Sequence, residues 1–184
     1  MGSTTTPPYR SRFDSGPPPP MGPSGKTVGL VVLGLFVLAA FATKKSARLK
    51  DASLQRLGGD GAPTSEWASP AKGNGGKRLV IYMAPWCGPC RASIPSDREL
   101  ADYLSGHGVE TTFVVGMDGL EACGDMARTV GRPVLADPSG EWAKSADINV
   151  VPHYLVTDAS GKILKRVRGA PQGPPADVAR YLGL

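Results

Sequence analysis

One stretch of the chain is apolar without interruption, and the remainder alternates. Thr27 to Thr43 reads TVGLVVLGLFVLAAFAT, seventeen residues without a charge between Lys26 and Lys44. At 1.5 Å per residue a helix of that length spans roughly 25 Å, the short end of what crosses a bilayer core. A single-pass membrane anchor is the expectation for residues 27–43. The rival is a cleaved signal peptide, because Ala40-Phe41-Ala42 resembles an A-x-A cleavage site after an apolar stretch. The long proline-rich leader and the basic residues immediately downstream favour the anchor.

Beyond residue 76 the pattern changes to short apolar runs separated by helical spacings, which predicts a sheet covered by helices. Lys77 to Met83 is an unbroken apolar run after its first two residues and suits a central strand buried on both faces. Cys87 to about Ser105 reads as a helix containing Pro95, ended by Gly106-His107-Gly108. Val109 to Val115 is β-branched and predicts a second strand. Gly119 to Val130 carries Leu120, Cys123, Met126 and Ala127 at helical spacing, and Cys123 reads as a small buried hydrophobe or, less simply, a third redox thiol. Pro133 to Ala136 is a short strand ending at Asp137, which is placed to cap a short helix over 140–146. Tyr154–Thr157 and Ile163–Val167 form a hairpin across Asp158-Ala159-Ser160-Gly161. Pro174 to Leu182 closes the chain as a helix begun by proline. Trp142 and Tyr154 read as core, and His107 and His153 as structural or exposed.

Two further regions precede the domain. Residues 1–26 are rich in Gly, Pro, Ser and Thr, with Pro17 to Pro20 in a row, and predict a disordered tail. Residues 44–75 begin with apolar positions that fit a short amphipathic helix over Ala47 to Leu57, then become glycine-rich, the composition of a flexible tether. Trp67 either pins that stretch to the domain or stands exposed. Residues 76–184 remain for the folded domain, about 109 residues, enough for one core.

The chemistry is concentrated in Trp86-Cys87-Gly88-Pro89-Cys90, where the strand ends and the helix starts. Unpaired N–H groups in a first helical turn favour negative charge, and helix starts and Cys-x-x-Cys spacings lower thiol pKa values. Cys87 is thus placed to ionise, and Cys90, one turn on, is placed to reach the same sulfur. The alternative, two buried core cysteines, explains neither the spacing nor the placement. Three cysteines do not make a disulfide scaffold. Without a second Cys-x-x-Cys or a His-x-x-x-His the chain also lacks the four ligands of structural zinc, so no metal and no cofactor is expected. The net charge of +5 is spread over tail, juxtamembrane stretch and domain without a nucleic-acid motif, so no nucleic-acid partner is expected.

The five-residue motif resembles the active site of thioredoxins. Pro95 sits where that family's active-site helix carries a proline, Val151-Pro152 resembles its cis-proline dipeptide, and Gly169 resembles the glycine before its last helix. With the anchor and the additional strand-and-helix unit between Gly116 and Asn149, the chain looks most like the TlpA-like, membrane-tethered thiol-disulfide oxidoreductases. The resemblance implies a thioredoxin-like α/β fold with a mixed central sheet, and a cis Pro152 facing the dithiol. It implies that Cys87 attacks and Cys90 resolves, and that Trp86, Gly88, Pro89, Val151 and Pro152 line the substrate groove. The Gly-Pro pair resembles reducing members. Clients would be proteins with disulfides, cytochrome c maturation among their roles, and the electron donor a membrane thiol transporter.

The buried acid that many thioredoxins carry six residues before the first cysteine is absent, since that position is Ile81. Asp97 and Glu99 read as a solvated helix face. Orientation is contested: more basic residues follow the span than precede it, which points to a cytoplasmic domain, whereas the resemblance implies an extracytoplasmic one at the cytoplasmic membrane, and the resemblance is followed. Two other readings stay open, a peptide-binding or metallochaperone module with an incidental dithiol, and a thiol peroxidase.

Overall fold

The computed structural model describes residues 47–71 and 76–184. The chain divides into two compact units, Met1–Lys44 and Lys45–Leu184, and every described residue belongs to the second. The tail and the apolar segment at residues 27–43 lie outside the described residues. Among the described residues no helix is long and apolar enough to cross a membrane.

Seven strands form one sheet: β1 (Leu54–Leu57), β2 (Pro63–Ala68), β3 (Arg78–Met83), β4 (Glu110–Gly116), β5 (Val134–Asp137), β6 (His153–Thr157) and β7 (Ile163–Arg168). Their order across the sheet is β2-β1-β5-β4-β3-β6-β7. The β3-β4 and β4-β5 pairings are parallel and the others antiparallel, so the sheet is mixed. Four helices complete the fold: α1 (Gly88–Gly106), α2 (Leu120–Val130), α3 (Glu141–Ser145) and α4 (Pro175–Leu182).

All six residues of β3 are buried, because both faces of the sheet are covered. Side chains alternate between two cores as a period of two requires. Leu79, Ile81 and Met83 join Phe113, Val115 and Tyr154 under α1, α2 and α4. Val80 and Tyr82 join Val114, Leu135 and Leu155 under Trp142, Ala143 and Ala146 at α3. The elements expected after residue 76 all form, with ends shifted by a residue or so.

The expectations for 44–75 do not hold. Residues 47–57 form no helix. Ala47 and Leu49 instead pair beside the β6-β7 turn, through Ile163 N–H to the Ala47 carbonyl and Leu49 N–H to the Gly161 carbonyl, each at 2.9 Å, and Leu54–Leu57 is strand β1. The three-residue spacing of Leu54 and Leu57 places both on one face of a helix, but in a strand it sends them to opposite faces, and the two leucines enter the two different cores. Nor is the glycine-rich stretch simply a tether, for it supplies the β1-β2 turn and β2. Gly61, at φ +81°, lies against α2 so closely that a Cβ there would meet the Gly124 carbonyl oxygen at 2.3 Å. Glycine composition is read as freedom in the sequence, whereas here it serves close backbone approach. Trp67 sits on β2 and is 62% exposed.

Candidate dithiol site

The parallel strands β3, β4 and β5 end at one pole of the sheet, and the loops that follow them build the site. After Met83 the chain turns through Ala84-Pro85-Trp86, with Cys87 N–H donating to the Ala84 carbonyl at 3.1 Å. Cys87 is the N-cap of α1, in extended conformation (φ −84°, ψ 107°), and its Sγ accepts the backbone N–H of Cys90 at 3.1 Å. The sulfur thereby occupies the place of a capping oxygen, where the partial positive charge of the helix start favours a thiolate. Gly88 and Pro89 fill the first turn and are exposed. Proline costs no hydrogen bond there.

Cys87 and Cys90 form a disulfide, S–S 2.17 Å with Cα atoms 5.2 Å apart. Both residues are buried, Cys90 fully. The Val151-Pro152 peptide is cis and faces this pair: the Val151 carbonyl oxygen lies 3.7 Å from Cys87 Sγ, and the Pro152 carbonyl accepts Gly169 N–H at 2.8 Å. Trp86 is 62% exposed beside the sulfurs, and its Nε1 donates to the Met117 carbonyl at 3.0 Å. Structure therefore brings together Trp86, Cys87, Gly88, Pro89, Cys90, Val151 and Pro152. Val150, next in the chain to Val151, is exposed.

Two turns beyond Cys90 on α1 lies a group expected on a solvated face. Asp97 is only 3% exposed. Tyr154 Oη donates to its Oδ1 at 2.6 Å, while Oδ2 has no partner. Burial pushes the Asp97 carboxyl up, an effect opposed by the Tyr154 hydrogen bond and by the nearby Ser93 hydroxyl. The Ser93 hydroxyl donates to the Cys90 carbonyl at 3.0 Å. A signal for this was present: Cys90, Ser93 and Asp97 stand at i, i+3 and i+7, one helical face. Glu99, by contrast, is exposed as expected.

The opposite face of the sheet carries a second polar group. Tyr82 Oη donates to Asp137 Oδ2 at 3.0 Å, and the Asp137 carboxylate accepts the N–H groups of Trp142 and Ala143, capping α3. His153 is buried, its Nδ1 3.2 Å from the Val150 carbonyl and its Nε2 without a partner. Burial lowers its pKa, with Arg166 and Arg168 adding to the effect and the Val150 carbonyl and Asp147 opposing it. His107 is exposed at the end of α1. Cys123 is fully buried on α2, its Sγ 3.6 Å from the carbonyls of Val115 and Asp118, and burial pushes its thiol up to about 11. Among the described residues no group of three or more His, Cys, Asp or Glu side chains is placed to hold a metal.

A mixed sheet flanked by helices, with a Cys-x-x-Cys pair at a helix start opposite a cis proline, defines a protein of the thioredoxin superfamily. The redoxin family model matches residues 44–182, and the chain belongs to that family; within the superfamily it is of the TlpA/DsbE type. It is 34% identical over 96 residues to the thiol:disulfide interchange protein DsbE homolog of Paracoccus denitrificans, covering 51% of each chain. It is 30% identical over 95 residues to the thiol:disulfide interchange protein HelX of Rhodobacter capsulatus, covering 50% of this chain and 52% of HelX. The chain spans about half the length of these curated relatives. Among solved structures, a thiol:disulfide interchange protein DsbE from Chlorobium tepidum superposes with a TM-score of 0.57 at 22% identity, over 75% of this chain and 92% of that one, a likeness of fold.

Proposed function

We propose that this chain is a membrane-tethered protein-disulfide reductase that works by dithiol exchange. The carrying observation is the seat of Cys87 Sγ, at the amide of Cys90 and beside the cis Val151-Pro152 peptide. A thiolate there attacks a client disulfide and forms a mixed disulfide. Cys90 then attacks Cys87, the Cys87-client bond breaks, and the client leaves as its thiol. Trp86, Gly88 and Pro89 form one wall of the client groove. Val151 offers its backbone to an extended client segment in the manner of strand addition, and Pro152, without an N–H, approaches the sulfurs without competing as a donor.

The anchor at residues 27–43 holds the domain on the extracytoplasmic side of the cytoplasmic membrane, and a membrane thiol transporter re-reduces the pair, as the TlpA-like resemblance implies. Clients are proteins with disulfides, those of cytochrome c maturation among them. The relatives named as thiol:disulfide interchange proteins support this chemistry.

Insulin reduction by the full chain tests the reading. Cys87→Ser is expected to abolish it, and Cys90→Ser to accumulate a covalently linked client. Equal turnover by wild type and Cys87→Ser would sink the proposal. Direction is tested separately: a reductase should have a Cys87/Cys90 potential nearer to the value of about −270 mV for thioredoxin than to about −120 mV for DsbA.

A further inference from the structure

Two stretches of the chain hold bases without acids. Lys44 to Lys50 reads KKSARLK, and between Asp158 and Asp177 stand Lys162, Lys165, Arg166 and Arg168 with no carboxylate among them. The other thirteen lysines and arginines are set against sixteen acidic residues, so the excess positive charge of the chain resides in these two stretches. The fold joins them. Arg48 forms an antiparallel bridge with Lys162, held by the hydrogen bonds of Ala47 to Ile163 and of Leu49 to Gly161.

β7 is the outermost strand on that side of the sheet. Lys165 pairs with Val156 and Arg166 with Leu155, which belong to opposite cores, so bases flank the strand edge on both faces. Arg48, Lys50 and Arg168 are exposed. Among the described residues none of Arg48, Lys50, Lys162, Lys165, Arg166 and Arg168 forms an ion pair. Asp158 turns its carboxylate to the amides of Ser160 and Lys162, and Asp177 pairs with Arg180 at 3.2 Å. Two apolar groups stand exposed beside the bases: Leu164 on β7, and Tyr181 of α4, whose ring centroid lies 4.2 Å from Lys165 Nζ. Charge on an edge strand keeps other chains from pairing with it, but that role needs no exposed leucine and tyrosine. Bases set around apolar and aromatic tips suit the boundary between water and an anionic bilayer.

The chain enters the domain at this edge. The apolar segment ends at Thr43, four residues before Ala47, a span of at most about 14 Å when fully extended. We infer that the β7 edge rests on anionic phospholipid headgroups, with Leu164 and Tyr181 at the apolar boundary, an inference that rests on the membrane-tethered reading above. Ile163 and Arg168 stand about 17 Å apart along the strand, so contact along its length fixes the orientation of the domain instead of leaving it to swing on its linker. Arg168 lies opposite His153, the residue after the cis proline, and Gly169 N–H donates to the Pro152 carbonyl. The cis proline is therefore one strand in from the docked edge, about 5 Å. Docking holds the dithiol close to the membrane surface, within reach of a thiol donor embedded there.

Fluorescence quenching in vesicles tests this with the full oxidised chain. Cys87 and Cys90 are joined and Cys123 is buried, so a bimane label goes to the added thiol of Leu164→Cys or, as reference, of Ser65→Cys on β2 at the far side of the sheet. Each labelled chain is reconstituted into vesicles of phosphatidylcholine alone or of an equal mixture with phosphatidylglycerol, with a nitroxide-headgroup lipid as quencher. The label at 164 is expected to be quenched in the anionic vesicles and not in the neutral ones, and the label at 65 in neither. Quenching should be lost at about 0.5 M salt, where charges are screened within a few ångströms, and equally in the combined Lys162→Glu, Lys165→Glu and Arg168→Glu variant. Equal quenching of the two labels, or equal quenching at 164 in neutral and anionic vesicles, would overturn the inference. So would a change at the 164 label on adding an oligoglutamate peptide with none in either vesicle, which would assign the edge to acidic polypeptides. A chain that fails to float with vesicles of either composition would overturn the membrane-tethered reading, and this inference with it.

Discussion

Gly116 ends β4 where no side chain fits. A Cβ there would stand 2.3 Å from both the Asp137 carbonyl oxygen and the Tyr82 hydroxyl. The same two residues make the buried hydrogen bond that helps hold α3. Gly116→Ala must therefore push β4 off β5 or break that bond, and it is expected to lower the unfolding free energy by about 1 to 3 kcal/mol in denaturant titrations. His153 makes a prediction in pH. Its folded pKa lies below the ordinary value of 6.5 because burial disfavours the imidazolium. The unfolded chain thus binds the proton first, and the stability this residue contributes is complete above pH 6.5 and lost as pH falls from there through the folded pKa. Acidification should destabilise wild type more than His153→Gln, read as the difference between their denaturant midpoints at about pH 7 and about pH 5. Equal midpoint shifts in the two proteins would contradict the assignment.

At the scale of elements, β1 matters more than its four residues suggest. It pairs with β5 on one side and β2 on the other, and it sends Leu54 into one core and Leu57 into the other. A fragment beginning at residue 60 would lose this strand and the Leu49 contact, uncover the edge of β5, and lose at least about 4 kcal/mol from the leucines alone. A fragment beginning at residue 45 keeps the whole second unit. The longer fragment is expected to melt cooperatively and resist proteolysis, and the shorter one to do neither. Comparable melting of both would show β1 to be dispensable.

At the scale of the molecule, the dithiol pole was legible because each of its signals is local. Five consecutive residues carry the cysteines, and an unbroken apolar run marks the central strand wherever it packs. The N-terminal part of the sheet was not legible, because its evidence is long-range: Leu54 and Leu57 acquire their faces only when β1 pairs with β5, far along the chain. Asp97 was misread for a related reason. A carboxylate two residues after Pro95 and two before Glu99 looks solvated until Tyr154, on β6, supplies the partner that lets it be buried. The cis Val151-Pro152 bond was anticipated by resemblance, since proline alone does not fix it.

Cys123 adds something practical. With the other two sulfurs joined, it is the free thiol of the oxidised protein, sealed under α2. Alkylating reagents can reach it only when that layer parts, so the native oxidised chain should resist iodoacetamide and react once denaturant is added. Its labelling rate then becomes a stopwatch for spontaneous opening, installed by nature at a place where no engineered probe is needed.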